Sequence, residues 1–295
     1  MTWVDVAVEA AFGPFQEFAF MRRGLVGCLA LALGAAPVGV FLMLRRMSLM
    51  GDVMAHAILP GAAIGFLVAG LSLAAMTAGG LAAGLIVALL AGLVSRITPL
   101  KEDASFAAFY LVSLAAGVLI VSLRGSSVDL MHILFGTVLA LDDAALYLIA
   151  SIATVSLLAM AAIYRGLVAE CFDPGFMRAV GSAGPGVHLV FLGLVVLNLV
   201  AGFHALGTLM VVGIMMLPAV AARFWARDTW RMIVTAVLIA VAASYAGLLL
   251  SYYANLPSGP AIILMAGAVC GLSMLAGVRG GILAHLYRRG GHLRA

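Results

Sequence analysis

Two side chains can do chemistry inside an otherwise apolar stretch: Asp52 and His56 in MGDVMAHAILPG, residues 50–61. Four residues apart, they share one helix face, about 6 Å from each other along the axis. Carboxylate plus imidazole is a fair ligand set for zinc, manganese or iron(II). If Arg46 marks a bilayer surface, a rise of about 1.5 Å per residue puts Asp52 roughly 9 Å in and His56 roughly 15 Å in, near the midplane. An ionisable pair at that depth is costly unless it lines a polar cavity. Pro60, with Gly61 beside it, is placed to kink the helix just beyond the pair. The plainer alternative pairs Asp52 with Arg45 or Arg46 and leaves His56 one packed hydrogen bond, since two ligands do not make a metal site. Duplication in a symmetric dimer would supply four. His188, His204 and His285 fall near span ends and read as interfacial or packed histidines.

The composition names the elements that must hold such a pair. The chain has 295 residues, 65% of them hydrophobic and 9% charged, with a mean hydropathy of +1.21. Soluble domains carry roughly 25% charged residues, so most of a solvated surface is missing. In lipid only helices or closed barrels satisfy every backbone group. Barrel strands alternate apolar and polar residues, whereas these runs are longer and apolar on all sides. The class is an all-α polytopic membrane protein, a bundle of eight to nine transmembrane helices. At about 20 residues per crossing, spans are expected at 25–44, 49–69, 78–96, 104–123, 144–164, 187–203, 205–222, 232–253 and 260–283. The junction near 203–207 is the weakest boundary and reads equally as a break within a longer element. Residues 1–22 read as an interfacial helix, 23–284 as the membrane domain and 285–295 as a cytoplasmic tail.

Basic residues orient the bundle. With the Arg45–Arg46 loop in the cytoplasm, 13 of the 16 basic residues fall inside and only Arg22, Arg23 and Arg124 outside. The N-terminus is then outside and the C-terminus cytoplasmic. Of the 12 acidic residues, Asp52 alone is placed within a span; the rest are assigned to loops or interfaces.

Several functions drop out. A net charge of +4 without a basic tract offers no grip on nucleic acid. Cys28, Cys171 and Cys270 form no CxxC. The lone lysine, Lys101, is not part of a Walker A loop, so ATP hydrolysis is not expected from this chain. No basic region precedes an apolar stretch at the N-terminus, so no cleaved signal peptide is expected. Neither HExxH nor GxSxG occurs, and a single intramembrane aspartate does not make an aspartyl protease. GxxxG spacings at Gly61/Gly65, Gly80/Gly84, Gly267/Gly271 and Gly277/Gly281 allow close helix approach.

Three further stretches carry local signals. In YRGLVAECFDPGFMRAVGSAGPG, residues 164–186, Asp173 and Pro174 form an N-cap and N1 pair. Phe172 and Met177 occupy staple positions and Gly181 supplies a stop. This encodes a short cytoplasmic helix exposing Phe172, Phe176, Met177 and Val180, which either rests on headgroups or docks as a knob into a soluble partner. Residues 123–143, LRGSSVDLMHILFGTVLALDD, have a short apolar core and read as a short or re-entrant helix. Residues 205–228 form a span interrupted by Gly213 and Pro218, candidates with Pro60 for pathway or gating positions.

Taken together, RRMSLMGDVMAHAILPG (45–61), DLMHILFGTVLAL (129–141), FDPGFMRAVG (172–181) and GTLMVVGIMMLPAVAAR (207–223) resemble the permease subunits of zinc/manganese/iron-type ABC importers, in the same order and over nearly the whole chain. The resemblance implies a permease homodimer in the bacterial cytoplasmic membrane, two copies of a separate ATPase and an extracytoplasmic metal-binding protein. It implies no permanently bound cofactor: the divalent cation is cargo, and ATP is used by the partner. By position, Asp52 and His56 match the family's GD-x-x-x-H segment of the translocation path. Segment 168–184 matches the coupling helix, with Phe172, Asp173, Pro174, Phe176, Met177, Arg178 and Gly181 toward the ATPase. Ala55 stands where many relatives have serine, and LPG at 59–61 is closer to manganese- and iron-type relatives than to zinc-type ones. The alternatives are an ion-coupled secondary transporter, which leaves the FDPGFMRAVG helix without a role, or an ABC permease for another substrate.

Overall fold

The computed structural model describes residues 3–70, 72–100, 102–123, 138, 141–172 and 183–283, and every regular element among them is helical. In chain order these are α1 (Trp3–Glu17), α2 (Ala19–Leu44), α3 (Met50–Ala57), α4 (Leu59–Ala69), α5 (Leu73–Ile97), α6 (Glu102–Leu123), α7 (Asp143–Phe172), α8 (Ala183–Leu206), α9 (Thr208–Arg223), α10 (Thr229–Ala254) and α11 (Ser258–Ala276). Eight stretches are long and apolar enough to cross a membrane, α3 and α4 together counting as one; α9 is apolar but shorter.

Local chemistry sets many of the ends. Asp142 Oδ1 accepts from the Ala145 N–H at 2.8 Å and caps α7. Ser72 does the same for α5 through the Ala75 N–H. Asn255 takes the left-handed conformation that closes α10. The weak boundary near 203–207 is a true break: α8 ends at Leu206, and Gly207 turns the chain at φ +87°, ψ 153° before α9 begins. Only glycine adopts that conformation without strain of about 1–3 kcal/mol. Gly207→Ala is therefore expected to lower the thermal midpoint of the detergent-solubilised protein, and an unchanged midpoint would show the break to be tolerant.

Four expected boundaries are corrected. Helix α2 starts at Ala19 and not at 25, so residues 19–22 belong to it and not to the interfacial segment. Helix α7 does not stop at 164 but continues to Phe172, because the first residue that cannot extend it is Pro174. Helix α11 stops at Ala276 and not at 283; Gly277 leaves the helix, Gly280 takes φ +85°, and the Arg279 N–H donates to the Phe224 carbonyl. Helix α5 starts earlier than expected, at Leu73, at its serine cap. Segment 123–143 lies almost wholly outside the described residues, as does the tail from 284 onward.

Helix α2 is the centre of the bundle. Of its most apolar stretch 72% is buried, against 17% for α6, which is peripheral and exposes Leu111, Val112, Val118 and Leu119. Helices α7, α8, α9 and α10 surround α2. Asn198 of α8 is buried and donates to Ser156 Oγ of α7 at 2.8 Å, so this polar contact is satisfied inside the bundle. Helix α1 packs on α10: the hydroxyls of Tyr245 and Tyr253 donate to the carbonyls of Ala11 and Ala10, and Phe15 stacks on Tyr245. The glycine pairs divide by role. Gly61 and Gly65 of α4 lie against the backbone of Gly79 and Ala75 of α5, while Gly267 and Gly271 of α11 face open space.

Candidate functional site

Helix α3 is short for a physical reason. Pro60 has no N–H to give the His56 carbonyl, so the ladder breaks at Ile58 and α4 restarts with Pro60 in its first turn. Beside the break, Ser113 Oγ of α6 donates to the Ala57 carbonyl at 3.1 Å and ties α3 to α6. Asp52 and His56 stand on this eight-residue helix, within two turns of the break.

Asp52 Oδ1 lies 3.7 Å from His56 Nε2, and the two side chains are 68% and 30% exposed. That spacing is shorter than two metal–ligand bonds of roughly 2.0–2.2 Å end to end, so one cation can bridge both atoms. The alternative pairing of Asp52 with Arg45 is not observed: Arg45 is engaged elsewhere. The His56 ring lies face to face with Tyr110 of α6, centroids 6.3 Å apart and planes 30° from parallel. This aromatic wall was not foreseen, since nothing local in sequence links residues 54 positions apart. His56 Nδ1 is buried without a hydrogen-bond partner. Among the described residues no group of three or more His, Cys, Asp or Glu side chains gathers around one point. Among the described residues, then, the pair presents two open donors, unlike a closed structural cage of four ligands.

The other expected positions separate. Pro60 is at the break, with Gly117 of α6 against its ring. Gly213 of α9 faces Ile263 of α11, not the Asp52–His56 pair. Pro218 is buried within α9. Instead Val212, Met215 and Met216 of α9 meet α3, at Gly51. Phe172 ends α7 and is 83% exposed. Asp173, Pro174, Phe176, Met177, Arg178 and Gly181 lie outside the described residues.

Glu170, expected in a loop or at an interface, stands instead near the end of the extended α7 and is largely buried. The extension of α7 carries it inward, where its Oε1 accepts from Arg45 Nη2 at 2.9 Å with side chains only 13% and 9% exposed. Arg45 also lies 2.6 Å from His188 Nδ1 and stacks over the Phe191 ring at 5.0 Å. His188 is thus a packed histidine, as its position near a span end implied. The signal available in sequence was the absence of any helix breaker strong enough to stop α7 before Pro174.

Comparison with known proteins agrees with this architecture. The model of the ABC 3 transport family matches residues 17–277. The chain is 31% identical over 249 residues to the manganese import system permease protein ScaB of Streptococcus parasanguinis, covering 84% of this chain and 88% of that one. It is 30% identical over 278 residues to the manganese transport system membrane protein MntC of Halalkalibacterium halodurans, covering 94% of each. Among solved structures, PsaBC from Streptococcus pneumoniae in complex with Fab superimposes with a TM-score of 0.82 at 28% identity, over 94% of this chain and 99% of that one. A multi-pass helical bundle with these matched segments belongs to the ABC 3 transport family, as a permease subunit of the metal-importer type.

Proposed function

We propose that this chain, as a homodimer, forms the path by which a divalent transition-metal cation, manganese foremost and zinc or iron(II) as further candidates, enters the cell. The observation that carries the reading is the Asp52–His56 pair, an oxygen and a nitrogen donor 3.7 Å apart at a broken helix. Both relatives described above are named for manganese, which supports placing that cation first. A borderline carboxylate–imidazole set suits such cations. With a second copy supplying the same pair, four protein donors would replace part of the water shell, held weakly enough to let the ion leave.

In this reading an extracytoplasmic binding protein delivers the cation on the side of the N-terminus, and two ATPase subunits act on the cytoplasmic side. ATP binding and hydrolysis bias the permease between outward- and inward-facing packings. Segment 168–184 is the coupling element, and Phe172, exposed at the end of α7, begins its apolar contact surface. Replacing Asp173 and Arg178 together by alanine is expected to reduce co-purification of the ATPase with the permease severalfold; an intact complex would remove these residues from the docking surface.

The deciding experiment is uptake of Mn²⁺, Zn²⁺ and Fe²⁺ into metal-depleted cells, with and without the chain and its ATPase. Uptake that needs both proteins supports the reading and ranks the cations. Uptake by the chain without an ATPase would favour an ion-coupled secondary transporter.

A further inference from the structure

The Arg45–Glu170–His188 cluster lies outside the cation site, and its place in the chain is informative. Arg45 caps the C-terminus of α2, and only residues 46–49 separate it from α3, which carries Asp52 and His56. Glu170 is near the end of α7, three residues before Asp173; His188 is near the start of α8, on the other side of segment 173–182. The two helices that enter and leave the coupling segment are therefore both held to one guanidinium. We propose that Arg45, Glu170 and His188 are positioning residues that form a rigid joint, carrying movement of the coupling segment to α3 and so to the Asp52–His56 pair. The proposal rests on the reading of the chain as an ATP-driven metal permease.

The physical case has three parts. A buried ion cluster is a poor stabiliser, because desolvation offsets most of its Coulomb gain; what it does supply is register and direction. The three side chains are 9%, 13% and 7% exposed, so salt does not screen them and water does not lubricate them. Apolar contacts slide over one another, whereas charge-assisted hydrogen bonds of 2.6 and 2.9 Å break or pull. The connector on the far side is stiff as well. Met47 is buried, its N–H donates to the Leu42 carbonyl, its carbonyl accepts from Met50, and Arg46 is fixed at φ +61°. A displacement at Glu170 or His188 is thus passed through Arg45 to the start of α3 and not absorbed by a loose loop.

The test uses the full permease–ATPase complex in liposomes supplied with its extracytoplasmic metal-binding protein, with Mn²⁺ uptake and ATP hydrolysis measured in the same sample. Glu170→Gln keeps side-chain size and polarity and removes the charge; Arg45→Gln removes the charge with a shorter, still polar side chain. Each is expected to leave the complex assembled and hydrolysing ATP, while the cation carried per ATP falls about tenfold, within the range of mutations along a coupling route. The double variant is expected to do no worse than either single one, because both remove the same contact. A parent-like ratio in the assembled complex, or losses that add in the double variant, would overturn the joint. Should a Gln variant fail to assemble, Arg45→Lys decides: it keeps the charge but loses the reach of Nη2, from which both contacts run, and the planar stack on Phe191. It is expected to lower the ratio, whereas a parent-like ratio again overturns the proposal. Absence of ATP-driven Mn²⁺ uptake by the parent complex would instead strike the transport reading itself.

Discussion

Asp52→Asn is expected to abolish cation uptake at low external metal while leaving the permease dimer and its ATPase assembled. Asparagine keeps the shape and one carbonyl oxygen but removes the negative charge that attracts a dehydrating cation. Losing a group that merely orients a ligand costs about 10–100-fold in affinity or activity, and losing the anionic ligand itself should exceed that. Stability should hardly change, because the Asp52 side chain is 68% exposed and its 3.7 Å contact with His56 is a half-solvated pair. Exposed pairs of this kind contribute at most about 1 kcal/mol. The two readouts therefore separate: uptake of radioactive or fluorescent-reporter-detected Mn²⁺ falls by more than about 100-fold on the ligand argument, while size-exclusion profile and ATPase co-purification stay as in the parent. Uptake retained at low external metal would take Asp52 out of the path. Loss of assembly would make its role structural.

The second large effect concerns folding. Gly39 of α2 lies directly against the carbonyl of Met215 on α9, with no room for even a methyl group. Gly39→Val must push the two helix backbones apart, and the same Met215 touches Gly51 at the base of α3, so the displacement reaches the helix that bears the cation pair. Overpacking a tight core costs about 1–3 kcal/mol where side chains can yield. Here the obstacle is backbone at the central helix, so the loss should be at the top of that range or above it. We expect a large fall in the yield of monodisperse protein and in its thermal midpoint. Gly267→Val is the control: its position on α11 opens on free space, and its midpoint should match the parent. Equal effects at the two sites would mean that the α2–α9 contact is not close-packed.

Much of the architecture was legible because a bilayer imposes strong rules. Hydrocarbon admits only self-satisfied backbone, so 65% hydrophobic residues in runs of about 20 had to be a helical bundle. Asp52 and His56 stood out for the same reason, since an ionisable group at the depth expected of them needs a task. Pro60 was readable as the break, since a missing N–H acts through the chain itself. The extent of α7 was misjudged because hydropathy reports membrane thickness, while the helix ends where a residue can no longer extend it. Glu170 was therefore assigned to a loop, although it is buried against Arg45, 125 positions away.

Spacing and hydropathy were sufficient for the class and the approximate course of the spans, since each depends on groups within a few turns of one helix. Packing alone settled what those groups face. Tyr110 beside His56, Arg45 clamped between Glu170 and His188, and Gly39 against Met215 all join helices far apart in the chain. Apolar helices carry no local record of which face meets which neighbour; that choice belongs to close packing of the whole bundle, where a single carbonyl or methyl decides whether two helices can touch.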